Sequence, residues 1–212
     1  VGAGVMGGGI AWLFTHKEIP VRMKDIDWDA LAAGFKTIHE TNQEIIAKKK
    51  IDPKAAERQE SLATGATDYS GFASVPYVIE AIVEKPDLKK KVYRELEEVL
   101  PRDAVVATNT SSLTVDELAA GFKRPGRFVG MHFFNPPARM PLVEVVSGGE
   151  SKDWAVAAAV RAARRLGKVP VVVGDCPGFL VNRLLMPYLN EAAYLAGEGM
   201  GIRRIDTVMK DF

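Results

Sequence analysis

The chain has a single cysteine, Cys176, in 212 residues. No intrachain disulfide framework can hold it together, and a lone thiol fits a reducing compartment. It has almost no net charge: 28 Lys+Arg stand against 27 Asp+Glu, leaving +1. That balance excludes, on bulk charge, a nucleic-acid binder or a polybasic membrane binder. No apolar run approaches the ~18 residues of a membrane span. Internal repeats, low-complexity tracts and a secretory leader are likewise missing, and we expect no metal.

What is present is an ordinary globular composition, 47% hydrophobic and 26% charged, which argues against disorder. At roughly 150 residues per domain the length predicts one domain plus a remainder. The chain opens on Val1-Gly2-Ala3-Gly4 without a methionine and stops at Asp211-Phe212 inside a helical pattern. It reads as a fragment of a longer chain, so the lack of a leader leaves its location open.

Two hydrophobic periods alternate along it. Short β-rich runs at residues 19–23, 77–83, 104–108, 127–133, 142–146 and 169–173 predict strands. Residues 30–50, 88–100 and 154–166 follow the helical period. Asp52-Pro53 reads as a helix cap with proline at the first helical position, and Thr114 with Glu117 has capping-box spacing. Strands alternating with helices predict an α/β fold, a Rossmann-like doubly wound and mostly parallel sheet. The pattern changes at Gly174-Asp175-Cys176-Pro177-Gly178. Beyond it residues 179–195 and the stretch from Ile202 are helical. We therefore place a nucleotide-binding domain at 1–176 and the start of an all-α second domain at 177–212.

Gly2-Ala3-Gly4-Val5-Met6-Gly7 matches G-x-G-x-x-G. The first glycine allows the tight turn, the second admits a pyrophosphate to the backbone, and the third lets helix pack on strand. Phosphates then meet a helix N-terminus, whose N–H groups and dipole favour anions. Asp25, at the end of the next strand, stands at about the spacing of a ribose-binding acid. A carboxylate there favours NAD over NADP, a preference softened by Arg22 and Lys24.

Of three histidines, His16 and His39 read as surface residues. His132 ends the strand at 127–133, where open α/β sheets bind ligands. Asn109-Thr110-Ser111-Ser112 follows another strand toward the same edge. Glu144 sits in an apolar strand, and a buried carboxylate needs a partner. His132 is its natural partner, as in a base held by an orienting acid.

With these residues the sequence resembles the 3-hydroxyacyl-CoA dehydrogenase family over essentially its whole length. The resemblance rests on the glycine turn, Glu80-Ala81-Ile82-Val83-Glu84, Asn109-Thr110-Ser111-Ser112, His132-Phe133-Phe134-Asn135-Pro136, Leu142-Val143-Glu144-Val145, and Asp175-x-Pro177-Gly178-Phe179-x-Val181-Asn182-Arg183. The Met23-Lys24-Asp25-Ile26 strand and Gly7-Gly8-Gly9 look most like the dehydrogenase part of a multifunctional α subunit of fatty-acid β-oxidation, in which a hydratase domain comes first. The resemblance implies His132 as general base, Glu144 as its partner, and Ser111 and Asn182 as hydrogen-bonding partners of the reacting oxygen. It implies cofactor contacts from Gly2, Gly4, Val5, Met6, Gly7, Asp25, Glu84, Lys89, Asn109 and Asn135, with NAD as cofactor. Thr41 and Lys48 fall where relatives touch CoA. Lys48-Lys49-Lys50 reads equally as a solvated helix end. The implied activity is oxidation of (S)-3-hydroxyacyl-CoA to 3-ketoacyl-CoA. A β-hydroxyacid dehydrogenase acting without CoA stays open, as does an NAD-binding module without turnover. The resemblance also implies an acyl-CoA substrate and a dimer or larger complex, with a thiolase subunit among candidate partners. It implies a bacterial-type cytoplasmic setting, while mitochondrial or peroxisomal placement stays open.

Overall fold

A computed structural model describes residues 1–211. The chain runs α1 (Val5–His16), β1 (Val21–Lys24), α2 (Trp28–Ala47), α3 (Pro53–Glu60), β2 (Ala63–Ala66), β3 (Tyr77–Glu80), α4 (Pro86–Val99), β4 (Val105–Thr108), α5 (Val115–Ala119), β5 (Phe128–Phe133), β6 (Leu142–Ser147), α6 (Asp153–Arg165), β7 (Val169–Gly174), α7 (Val181–Gly197) and α8 (Ile202–Asp211). Local chemistry sets the helix starts. Asp27 caps α2 by accepting from Ala30 N, Asp52 caps α3 from Lys54 N, and Thr114 caps α5 from Glu117 N. Pro86 opens α4, where its missing N–H leaves nothing unpaired.

The strands form two sheets. β1 pairs in parallel with β2, and the larger sheet has the order β3-β4-β5-β6-β7. Every neighbouring pair in it is parallel except β5 and β6. Val105 and Ala107 face one core with α1, α2 and α6, while Val106 faces a second core with Tyr93, Leu96 and Leu118 of α4 and α5. Helices thus cover both faces, and all four residues of β4 are buried, as a parallel central strand requires. Residues 1 and 2 stitch the two sheets at one end: Val1 N donates to Ile79 O, Ala81 N to Val1 O, and Gly2 N to Lys24 O. Behind that stitch, between β1 and β3, lies an apolar cavity of about 270 Å³, lined among others by Ile10, Phe14, Val21, Met23, Tyr77 and Ile79.

The architecture is the doubly wound, mostly parallel one expected, with differences in detail. The run at 77–83 leaves the sheet at Glu80, because Ile82 N turns back to Glu80 Oε1 at 2.7 Å. β2 has no counterpart among the expected strands, since Ala63-Thr64-Gly65-Ala66 carries little β propensity. The β5–β6 connection covers only residues 134–141, too short for a parallel crossover. His16, expected at the surface, is half-buried and stacks on Trp12 with ring centres 4.6 Å apart. His39 is exposed, beside Glu60. After β7 the chain turns helical, and α7 buries none of its side chains among the described residues. No described helix is long and apolar enough to cross a membrane.

Candidate active site

The glycine turn forms the first wall. Gly2 has φ +87°, and a Cβ there would lie 2.6 Å from Ala81 O; a Cβ on Gly7 would lie 1.8 Å from Gly2 O. Only glycine permits this turn and the helix packed onto it. Gly4 has open space where a side chain would go. No side chain caps α1, and its first turn holds no acid, so the N-terminal amides near Gly4, Val5 and Met6 form an anion cradle. Asp25 closes it from β1: Oδ2 accepts from Ala3 N at 2.6 Å and Oδ1 from Ile26 N at 2.7 Å. These backbone bonds fix the carboxylate beside the turn.

The second wall is the end of the larger sheet. His132 and Glu144 are cross-strand partners in the antiparallel β5–β6 register. His132 Nδ1 lies 2.7 Å from Glu144 Oε2, and Glu144 is wholly buried. A carboxylate on Nδ1 holds the proton there and leaves Nε2 as the basic nitrogen. Phe134 and Phe179 flank the imidazole, with ring centres 4.5 and 5.8 Å away. Glu144 has a second task that the sequence did not reveal. Its Oε1 accepts from Leu180 N and Val181 N, both at 2.9 Å. It thereby caps α7, whose own cap position offers no side-chain bond.

Ser111, in the turn after β4, and Asn182, in the first turn of α7, come together, Asn182 Nδ2 donating to Ser111 O at 3.3 Å. Ser111 N donates to Glu84 Oε1 at 3.0 Å, and the Thr110 hydroxyl donates to the same oxygen. Burial raises the Glu84 pKa, but the Thr110 hydroxyl, Lys89 and Ser111 N–H outweigh it and hold the carboxyl below its usual 4.5. Lys89 is wholly buried, 2.7 Å from Glu80 and 3.1 Å from Glu84. Asn109 spends its side-chain oxygen on Phe133 N at 2.9 Å, tying the ends of β4 and β5 together.

Asn135 lies on the loop between β5 and β6, and three elements fasten that loop. Pro137 fills the space a side chain on Gly9 of α1 would take. The buried Lys168 ammonium donates to Pro137 O at 2.5 Å and Met140 O at 2.8 Å. Desolvation, and secondarily Lys17, lowers its pKa. Arg139 pairs with Glu44 of α2 at 2.7 Å. Thr41, Glu44 and Lys48 share one helical face, so this pair brings the Thr41–Lys48 side of α2 to the loop beyond His132. Thr41 itself donates to Thr37 O, and Lys48 is exposed. No group of three potential metal ligands exists among the described residues.

Residues 1–176 match the family model for the NAD binding domain of 3-hydroxyacyl-CoA dehydrogenase, and residues 178–212 match that for its C-terminal domain. Over all 212 residues the chain is 44% identical to the fatty acid oxidation complex subunit alpha of Pseudomonas putida strain F1, of which it spans 30%. Among solved structures it is similar to FadB2 of M. tuberculosis, at TM-score 0.91 and 35% identity over 95% of this chain and 71% of that one. The (S)-3-hydroxybutyryl-CoA dehydrogenase PaaH1 of Ralstonia eutropha superposes at TM-score 0.91 with 38% identity, over the same shares of the two chains.

Proposed function

Since this chain belongs to the 3-hydroxyacyl-CoA dehydrogenase family, with an NAD-binding domain as its main part, we propose that it oxidises (S)-3-hydroxyacyl-CoA to 3-ketoacyl-CoA in fatty-acid β-oxidation. The observation that carries the reading is the His132–Glu144 pair, 2.7 Å apart, on the paired strands β5 and β6. NAD, when bound, would supply the acceptor for the hydride of C3. His132 Nε2 takes the proton of the 3-hydroxyl, and Glu144 stabilises the imidazolium that forms. The Ser111 hydroxyl and Asn182 amide donate to the oxygen at C3. In reduction the protonated His132 returns the proton. The amides of the glycine turn would hold the pyrophosphate and Asp25 the adenosine ribose, and Asn109 and Asn135 would contact the nicotinamide end. Thr41 and Lys48 receive the CoA moiety. Cys176 and Pro177 divide the nucleotide domain from the helical one. The protein works in a bacterial cytoplasm as part of a larger assembly that includes a second copy or a thiolase subunit.

The test is absorbance-followed NADH consumption with acetoacetyl-CoA, on this chain and on a longer polypeptide that contains it. The His132→Ala variant should lose about 10²–10⁴-fold in rate and still bind NADH. Undiminished turnover by that variant removes His132 as the base. NADH binding without turnover in either polypeptide leaves an NAD-binding module, and turnover only of a hydroxyacid lacking CoA leaves the CoA-independent alternative.

A further inference from the structure

Glu80 plays no direct part in the chemistry above, yet its carboxylate is the centre of a buried polar network. It ends β3 with no exposed side-chain surface. Oε1 accepts from Ile82 N and from Lys89 Nζ, both at 2.7 Å. Oε2 accepts from Thr108 Oγ1 at 2.8 Å and from the Tyr93 hydroxyl. These donors come from the ends of β3 and β4 and from α4. A buried ion pair is weak as a source of stability, because apolar side chains of similar volume serve as well. Its place in the fold calls for another account.

The Lys89 ammonium supplies one. It is wholly buried and can act through the carboxylates it holds. Beyond Glu80 its second partner is Glu84 Oε2 at 3.1 Å, on a side chain 35% exposed. The other oxygen of Glu84 receives the Thr110 hydroxyl and Ser111 N, and Ser111 O receives Asn182. One line of polar contacts therefore runs from the sheet interior to the turn that presents Ser111. Removing the charge on Glu80 leaves the ammonium a single counter-ion. It is then drawn toward Glu84, and the carboxylate turns inward, away from Ser111 N.

We propose that Glu80 is a positioning residue for the dehydrogenase reaction: it pins Lys89, which orients Glu84, which fixes the Thr110–Ser111 turn against the reacting oxygen. The inference rests on the reading of Ser111 as a contact of that oxygen.

The test is a double-mutant cycle on acetoacetyl-CoA reduction in the longest active polypeptide, joined to amide exchange by NMR. Glu80→Gln keeps the shape and removes the charge. It should lower kcat/KM about tenfold when Ser111 is present and less than about twofold in the Ser111→Ala background, since residues acting through one another are non-additive. Equal losses in both backgrounds mean general destabilisation and overturn the proposal. Exchange at the Ser111 amide should accelerate in Glu80→Gln while Ala107 in β4 stays protected; unchanged exchange at Ser111 also overturns it. The exchange measurement needs no turnover. Wild-type protein that fails to oxidise NADH, while Ser111 exchange still responds to Glu80→Gln, would end the dehydrogenase reading and leave the Glu80–Ser111 coupling standing. If Glu80→Gln does not fold, Tyr93→Phe removes one donor to Oε2 and keeps the ring packed on Phe122 and Phe128. Its smaller loss should show the same dependence on Ser111.

Discussion

Glu84 shows how one carboxylate reports its surroundings. Its pKa is depressed in the folded chain, so the folded state binds that proton more weakly than the unfolded one. The stability from this group is then fully present above its ordinary value of 4.5 and is lost as pH falls through the lower folded value. We expect thermal melts of the wild type to drop on acidification below about pH 4.5. Glu84→Gln should melt lower at neutral pH and lose less over the same fall; parallel curves would show that Glu84 contributes nothing to the acid limb. The pairing of His132 with Glu144 was legible at this scale, because a carboxylate among Val143, Val145 and Val146 needs an opposite partner. Lys168 was not. A lysine beside an apolar strand reads as a solvated cation, and only the folded loop supplies the two carbonyls that satisfy it.

Among the elements, α7 depends on a strand distant in sequence. Glu144 Oε1 caps it while Oε2 faces His132, so two substitutions should separate the two roles. Glu144→Gln keeps an acceptor for Leu180 N and Val181 N but presents an amide donor to Nδ1, which moves the imidazole proton to Nε2. Its melting temperature should change little while turnover falls on the order of 10²–10⁴-fold, the cost of losing the base. Glu144→Ala also takes the acceptor from Leu180 N and Val181 N and should speed amide exchange at both. Equal exchange in the two variants would argue against the cap. Helix boundaries were readable where caps are chemical, as at Asp52-Pro53 and Thr114. The antiparallel β5–β6 pair had a signal in the shortness of residues 134–141. The Glu80 network had none, since Glu80, Lys89, Tyr93 and Thr108 meet only once β3, α4 and β4 have packed.

For the molecule as a whole, the feature with the widest reach is Glu144, one carboxylate shared by the imidazole of His132 and the first turn of α7. The two oxygens belong to one rigid plane, so they cannot move independently. Whatever settles α7 therefore also aims the imidazole, and the docking of a helix becomes a condition for chemistry at a strand.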